Sequence, residues 1–428
     1  MAVTEPQVFL AEPPRARLTL GSLAAVCVGN ALEFYDFLTF SFFAVQIGDS
    51  LFPAGQGSLL KSLATFGVGF LTRPLGGLLI GAYGDHAGRR PAMLLSFGLM
   101  GVGIVGLALT PSYASIGMAA PVLAIAFRLL QGFALGGEVG PSSAFMLEAA
   151  PEQRRGLAMS LQYATQQVAI LSAGVTALIL AAAMPPELFE TWGWRVAFLI
   201  GAAIVPFGLV LRSRLGETYS REENVPTASR RFPVRVAVLG VAMLMAGTIG
   251  TYVIGYMATW AQDSLHLAPR LAFGATIAQG LAGISAALLA GVLSDRFGRR
   301  AVMLPCGVLF VLLLLPCYLG MAAYGTAAVL FAATALLNFF LSLAATPGFV
   351  AIGEALPKHL RSGALGTIYA VSISVFGGST QFAVKGLINL TGSVLVPAWY
   401  AAVAMAIGLV AMALMHETAP AIIGRRTR

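Results

Sequence analysis

The feature that most constrains this chain is a series of long apolar runs of helical length, separated by short polar turns. Twelve runs fall at about 20–45, 59–82, 92–110, 121–147, 157–183, 195–212, 235–261, 271–293, 302–322, 327–352, 363–390 and 394–415. A bilayer core takes about 20 apolar residues of helix. Period-two alternation is missing and the runs are too long for strands, which excludes a closed β-barrel. Charge settles the class. Only 10% of residues are charged and 58% are hydrophobic, whereas a soluble domain carries about 25% charged residues. The expected fold is an all-α membrane protein of twelve transmembrane helices.

The chain also repeats itself. Gly81-Ala-Tyr-Gly-Asp-His-Ala-Gly-Arg-Arg90 returns as Gly291-Val-Leu-Ser-Asp-Arg-Phe-Gly-Arg-Arg300, an offset of 210 residues. Glu148-Ala-Ala-Pro151 with Arg155 returns as Glu354-Ala-Leu-Pro357 with Arg361, an offset of 206. Two marks at nearly one offset imply two homologous halves. The expected layout is an inner N-terminus at 1–19, a six-helix bundle at 20–212, a polar linker at 213–234, a second six-helix bundle at 235–416 and a tail at 417–428. The linker holds Pro226 and Pro233 and several arginines, which suit either plain solvation or anionic lipid heads.

Basic residues orient the helices. Outer loops hold Lys61, Arg195 and Arg270, spans hold Arg73, Arg128 and Lys385, and every other Lys and Arg falls in an inner segment. That bias places both termini on the cytoplasmic side. The same distribution turns the net charge of +8 into an orientation signal, so no nucleic-acid partner is expected. Cys27, Cys306 and Cys317 sit in apolar runs and read as small buried hydrophobes, with no disulfide or metal site. The first residues lack the pattern of a signal peptide.

Six ionisable residues lie inside spans: Glu33, Asp36, Arg73, Arg128, Glu138 and Lys385. Each costs at least about 2.5–3.5 kcal/mol at the bilayer centre. Three acids against three bases imply pairing, or a shared wet cavity. Five of the six lie in the first half, which implies ion chemistry there and shape recognition in the second. Asn30, Glu33 and Asp36 project near one helix face. A carboxylate at the depth of Asp36 is poised between burial, which favours its neutral form, and a cation, which favours its charged form. Engagement or release of Arg128 would switch it, as a proton-coupling site requires. A static salt bridge is the other reading. Arg73 suits anion binding or snorkelling to the inner surface. Glu138 faces the cavity or a partner helix. Gln162, Tyr163, Thr165, Gln166 and Gln167 offer hydrogen bonds to a carboxylate or hydroxyl, or act as glue between helices. Lys385 attracts anions from outside or snorkels outward.

The repeated turns carry a second constellation. Asp85 with Arg89 and Asp295 with Arg299 sit at inner helix ends, with Glu148–Arg155 and Glu354–Arg361 beside them. Such charges can latch one helix arrangement and release another. No Cys–His pair, phosphate loop or metal cluster is legible, so an enzyme is not expected, nor a cofactor.

These residues resemble the signature loops of the major facilitator superfamily. The copy at 291–300 fits fully, while Tyr83 and His86 depart from the usual pattern in the first. Arg128-x-x-Gln-Gly resembles the superfamily's span-four motif. Gly29-Asn-Ala-Leu-Glu-Phe-Tyr-Asp-Phe37, Leu71-Thr-Arg-Pro-Leu-Gly-Gly77, Gly136-Gly-Glu138, Trp192-Gly-Trp-Arg195 and Phe376-Gly-Gly-Ser-Thr380 are similar to the metabolite:proton symporter family. Thr165-Gln-Gln-Val-Ala-Ile170 looks most like its citrate-type branch. Gln381 stands where that family usually has Pro, which puts the bend of span eleven in question.

The resemblance implies two pseudo-symmetric six-helix bundles, rocker-switch alternating access and proton cotransport, in a monomer of a bacterial inner membrane. Its implied substrates are citrate, tricarballylate, 2-oxoglutarate, shikimate, or proline and betaine. On this reading Asp36, Glu33 and Arg128 couple protons. Asn30, Arg73, Arg128, Glu138, Gln162, Tyr163, Gln166 and Lys385 bind substrate. The charged turns form the inner gate. A zwitterion would also suit Glu33 with Arg73. A drug:proton antiporter usually shows a glycine-proline motif in span five, and no proline lies between Leu157 and Ala183.

Overall fold

The structure, a computed structural model, describes residues 31, 34–53, 55, 57–87, 89–136, 143, 144, 146–148, 150–213 and 233–426. Asn30, Glu33, Glu138 and most of the linker lie outside the described residues, as do the side chains of Asp85 and Arg89. No strand is present among the described residues.

Twelve helical spans follow in order. They are α1 (34–51), α2 (Ser58–Val68 continued by Arg73–Ala87), α3 (Arg89–Leu109), α4 (Ala119–Leu135), α5 (Arg155–Ala183) and α6 (Trp194–Ser213). The second half holds α7 (Val234–Gly255 with Met257–Asp263), α8 (Pro269–Phe297), α9 (Arg299–Tyr324), α10 (Ala327–Ala355), α11 (Lys358–Ser372 and Gly378–Thr391) and α12 (Val396–Leu414). A short helix, α13 (Pro420–Arg426), ends the described chain. Seven of the described helices are long and apolar enough to cross a membrane. Five spans fall outside that set for visible reasons. The apolar stretches of α3 (Leu94–Leu109) and α4 (Ala119–Leu135) are shorter. α1 and α6 run into residues that are not described, and α11 is interrupted by a π-turn at Ile373–Gly377.

The helices overrun the apolar runs chiefly at their basic ends, called inner below. α8 continues to Phe297, α9 starts at Arg299 and α11 at Lys358. Hydropathy stops at the first charge, but a helix continues into the headgroup zone. The sequence also missed a break. α2 is interrupted at 69–72, beside Gly69 and just before Arg73.

Without a hydrophobic drive between helices in lipid, small residues set the packing. α2 crosses α4 through glycines on both sides. A Cβ at Gly76 would lie 1.8 Å from the Phe133 carbonyl oxygen, and one at Gly132 would lie 1.5 Å from that of Gly69. The Thr72 hydroxyl donates to the Leu129 carbonyl at 2.6 Å across the same crossing. This contact brings Arg73 and Arg128 to one place. Arg195, expected in an outer loop, is a buried staple. It donates to the Thr110 carbonyl at 2.9 Å, and its guanidinium lies 4.1 Å from the Trp194 ring centroid.

The two halves meet along α5–α8, α2–α11 and α1–α7. Gly280 lies against Leu171 and Gly291 against Ser160, so α5 and α8 touch in both their outer and inner halves. Towards the outer end, Thr259 donates to the Ser41 carbonyl at 2.9 Å and Gln46 to Gln262 at 3.0 Å. Both ends of the interface are therefore closed.

Replacing Gly132 by Ala should cost about 3 kcal/mol, the upper end for overpacking, because backbone rather than a side chain must yield. Gly98→Ala meets nothing within 4 Å and should be neutral. Thermal unfolding of the purified variants in detergent measures both.

Candidate functional site

Asp36 and Arg128 meet in the buried centre of the N-terminal half. Arg128 is 0% exposed and Asp36 1%. Arg128 Nη1 donates to Asp36 Oδ2 at 3.3 Å and to Gln131 Oε1 at 2.7 Å. Gln131 Nε2 reaches Asp36 Oδ1 at 3.4 Å. One helical turn of α4 thus presents a guanidinium and an amide to a single carboxylate. The motif Arg-x-x-Gln-Gly supplies these two groups and, in Gly132, the close crossing that holds them. Arg128 Nε and Nη2 have no hydrogen-bond acceptor among the described residues.

Aromatic rings complete the surroundings. The Arg128 guanidinium lies 4.4 Å from the Phe37 ring centroid, 4.7 Å from Phe40 and 5.5 Å from Phe66. Arg73 lies 4.4 Å from the same Phe37 ring and 4.5 Å from Phe70. Cation–π contact holds a guanidinium without neutralising it. Arg73 is buried, which excludes the snorkelling reading. Its place follows from the break in α2, because it opens the inner segment of that span.

The α5 polar cluster is split. Gln162 is buried and accepts from Ser143 at 3.2 Å. Tyr163 lies against Gln167, Thr251 and Ser342 of three helices. Gln166 is half-buried. Gln167 accepts from Asn338 Nδ2 at 3.0 Å across the two halves. Lys385 does not join this group. Its Nζ is 2.6 Å from Asp263 Oδ2, so its charge is taken up within the C-terminal half. Asp263 lies past the apolar part of α7, which is why charge counting inside spans missed it. Gln381 is fully buried and bridges three helices. Its amide donates to the Ser41 hydroxyl at 2.6 Å and to the Tyr252 carbonyl at 3.2 Å. The π-turn of α11 lies one turn before it.

The charged turns pair differently from the sequence expectation. Glu148 was matched with Arg155 and Glu354 with Arg361. Instead Glu148 takes Arg361 of the other half at 3.1 Å, and Glu354 takes Arg299 at 3.1 Å. Arg155 pairs with Glu152 at 3.4 Å. The repeat still shows in the backbone contacts. Arg155 Nε donates to the Leu147 carbonyl at 3.1 Å and Arg361 Nε to the Gly353 carbonyl at 2.8 Å, each eight residues back. Equivalent arginines anchor alike, and their remaining nitrogens reach whatever acid the interface offers. Asp295 holds Arg299 at 2.7 Å and accepts from the backbone N–H groups of Gly156 and Leu157 at 2.8 and 2.9 Å. A carboxylate of the second half thus caps a helix of the first, where the dipole favours negative charge.

Glu417, which the sequence reading did not single out, closes the inner end. Its carboxylate accepts from the N–H groups of Arg299 and Arg300 at 2.9 and 3.0 Å and caps α9. Burial would raise this carboxyl, but backbone donors from Ala419, Arg299, Arg300 and Thr418 outweigh it and hold it below the usual 4.5.

Two matched helical bundles, with a charge pair buried inside the first and ionic latches across both at one end, have the build of a multi-pass membrane transporter. The pattern of the family described as "Sugar (and other) transporter" matches residues 22–224 and 217–422. The chain belongs to that family, within the major facilitator superfamily. It is 32% identical to a citrate-proton symporter of Klebsiella pneumoniae, over 97% of this chain and 95% of the relative. It is 30% identical to a proline/betaine transporter of Escherichia coli K12, over 93% of this chain and 83% of the relative. In fold it resembles a D-xylose-proton symporter, with a TM-score of 0.77 at 18% identity over 94% of this chain and 98% of that one.

Because the folded Glu417 pKa is depressed, its stabilisation is present above the unfolded value and lost as pH falls through the folded one. Glu417→Gln should cost about 1 kcal/mol, a typical cap, at pH 6–8. The gap to the unaltered protein should narrow as pH falls below the ordinary glutamate range, as read by thermal unfolding against pH.

Proposed function

We propose that this protein is a proton-coupled symporter that imports a small organic-acid anion, of di- or tricarboxylate type, across a bacterial inner membrane. The observation that carries this reading is Arg128. One nitrogen of its guanidinium holds Asp36, while its Nε–Nη2 edge has no acceptor among the described residues. That edge is the fork that binds a carboxylate in two parallel hydrogen bonds. Protonation of Asp36 weakens its hold and frees the whole guanidinium for substrate. Proton and anion are then carried together, because each favours the state that the other needs.

Movement between the two openings would follow a rocker switch. The Asp295 cap, the Arg299–Glu354 pair and the Arg361–Glu148 pair close the inner end, and the Gln46–Gln262 and Ser41–Thr259 contacts close the outer one. The citrate-proton symporters among the relatives favour the tricarboxylate class. The proline/betaine transporters keep a zwitterionic osmolyte as the second reading, with shikimate beside it. A drug:proton antiporter is disfavoured by the unbroken α5.

Thermal shift of the purified protein with citrate, tricarballylate, 2-oxoglutarate, shikimate and betaine at pH 5–8 tests the class. A true ligand stabilises in proportion to RT ln(1 + [L]/Kd). Asp36→Asn should abolish uptake driven by a pH gradient in vesicles and leave counterflow exchange intact. Loss of both activities, or of neither, rejects the coupling role.

A further inference from the structure

A second polar cluster lies where α5, α8 and α10 meet, on the C-terminal side of the interface. Asn338 Nδ2 donates to Gln167 Oε1 at 3.0 Å and to the Gln279 carbonyl at 2.7 Å. Two acceptors on that nitrogen fix which way the amide points. Asn338 Oδ1 is therefore an acceptor, and it has no donor among the described residues. Both amide atoms of Gln279 lack partners too among the described residues. Both side chains are fully buried.

Unpaired buried amides are costly, and native interiors satisfy nearly all of them. Gln279 and Asn338 meet at one crossing of α8 and α10, and unpaired donors and acceptors there imply an occupant that both donates and accepts. Charge narrows its nature. α5 between Arg155 and Ala183, α8 between Arg270 and Asp295, and α10 before Glu354 carry no Asp, Glu, Lys or Arg. An ionised carboxylate accepts only, so it cannot satisfy Asn338 Oδ1. A quaternary ammonium has no N–H to give. A hydroxyl can do both. Tyr163 joins the cluster to the candidate site, since it lies against Gln167 and Ser342.

We infer that Gln279 and Asn338 form a hydroxyl-reading subsite, so that the transported anion carries an alcohol group as well as the carboxylate taken by Arg128. This rests on the symporter reading above and adds substrate selection to it. α4 would hold the charge of the substrate, and α8 with α10 would read its uncharged part.

The test uses the full-length protein and pairs of anions that differ by one hydroxyl, malate with succinate and citrate with tricarballylate. In at least one pair the hydroxylated member should bind tenfold or more tightly by thermal shift. Gln279→Met, which keeps the side chain's length and breaks no hydrogen bond of the protein, should abolish that preference. It should leave affinity for the deoxy member and the pH dependence of uptake within twofold. Equal affinities within both pairs overturn the subsite while leaving the symporter reading intact. So does a preference that survives Gln279→Met, which would mark the cluster as a site for ordered water only. Failure of every organic anion to stabilise the protein overturns the symporter reading and the subsite with it.

Discussion

The cost of keeping a guanidinium away from water governs this structure. Arg128 sits at full burial inside a protein whose surroundings are lipid. Such a charge persists only when a carboxylate, dipoles and aromatic faces replace its hydration. Asp36, Gln131 and the rings of Phe37, Phe40 and Phe66 do so. Phe66 reaches it through the close crossing of α2 and α4, which also brings Arg73 alongside. The glycines at 69, 76 and 132 are thus part of the charge site, although none of them touches a substrate. Packing and electrostatics are here one problem.

The same economy appears at the inner end with the opposite sign. Asp295 and Glu417 each cap a helix, and Arg299 lies between Asp295 and Glu354. Asp295 is satisfied by backbone N–H groups and by Arg299, Glu417 by backbone N–H groups, and Glu354 by Arg299 and the Thr418 hydroxyl. Some of these contacts stay inside one half, but the Asp295 cap and the Glu148–Arg361 pair span both. Under the proposed rocker switch, only the spanning contacts would break. The outer end is joined by neutral amides and hydroxyls instead, which cost less to separate. The two ends therefore differ in chemistry.

Much of this was legible in the residues. Long apolar runs and scarce charge gave the class. The paired turns gave the two halves. The Arg-x-x-Gln-Gly motif on span four and an acid in mid-span one pointed to the ion pair. The partners of Glu148, Glu354 and Lys385 were not legible. A repeat shows which positions are equivalent, but a salt bridge forms with whatever lies nearest across an interface. Glu417 and Asp263 escaped because they stand outside the apolar runs. Gln279 and Asn338 escaped because an isolated amide in an apolar helix gives no periodic signal.

The sequence alone determined that the chain spans a membrane many times, that it is doubled, and which ionisable groups must be hidden. These follow from local composition, because transfer into lipid is charged to each residue separately. Tertiary structure alone decided which carboxylate meets which arginine, where α2 breaks, and which amides are left without partners. These depend on how helices far apart in the chain come to lie a few ångströms from one another, and no single stretch of sequence encodes that distance.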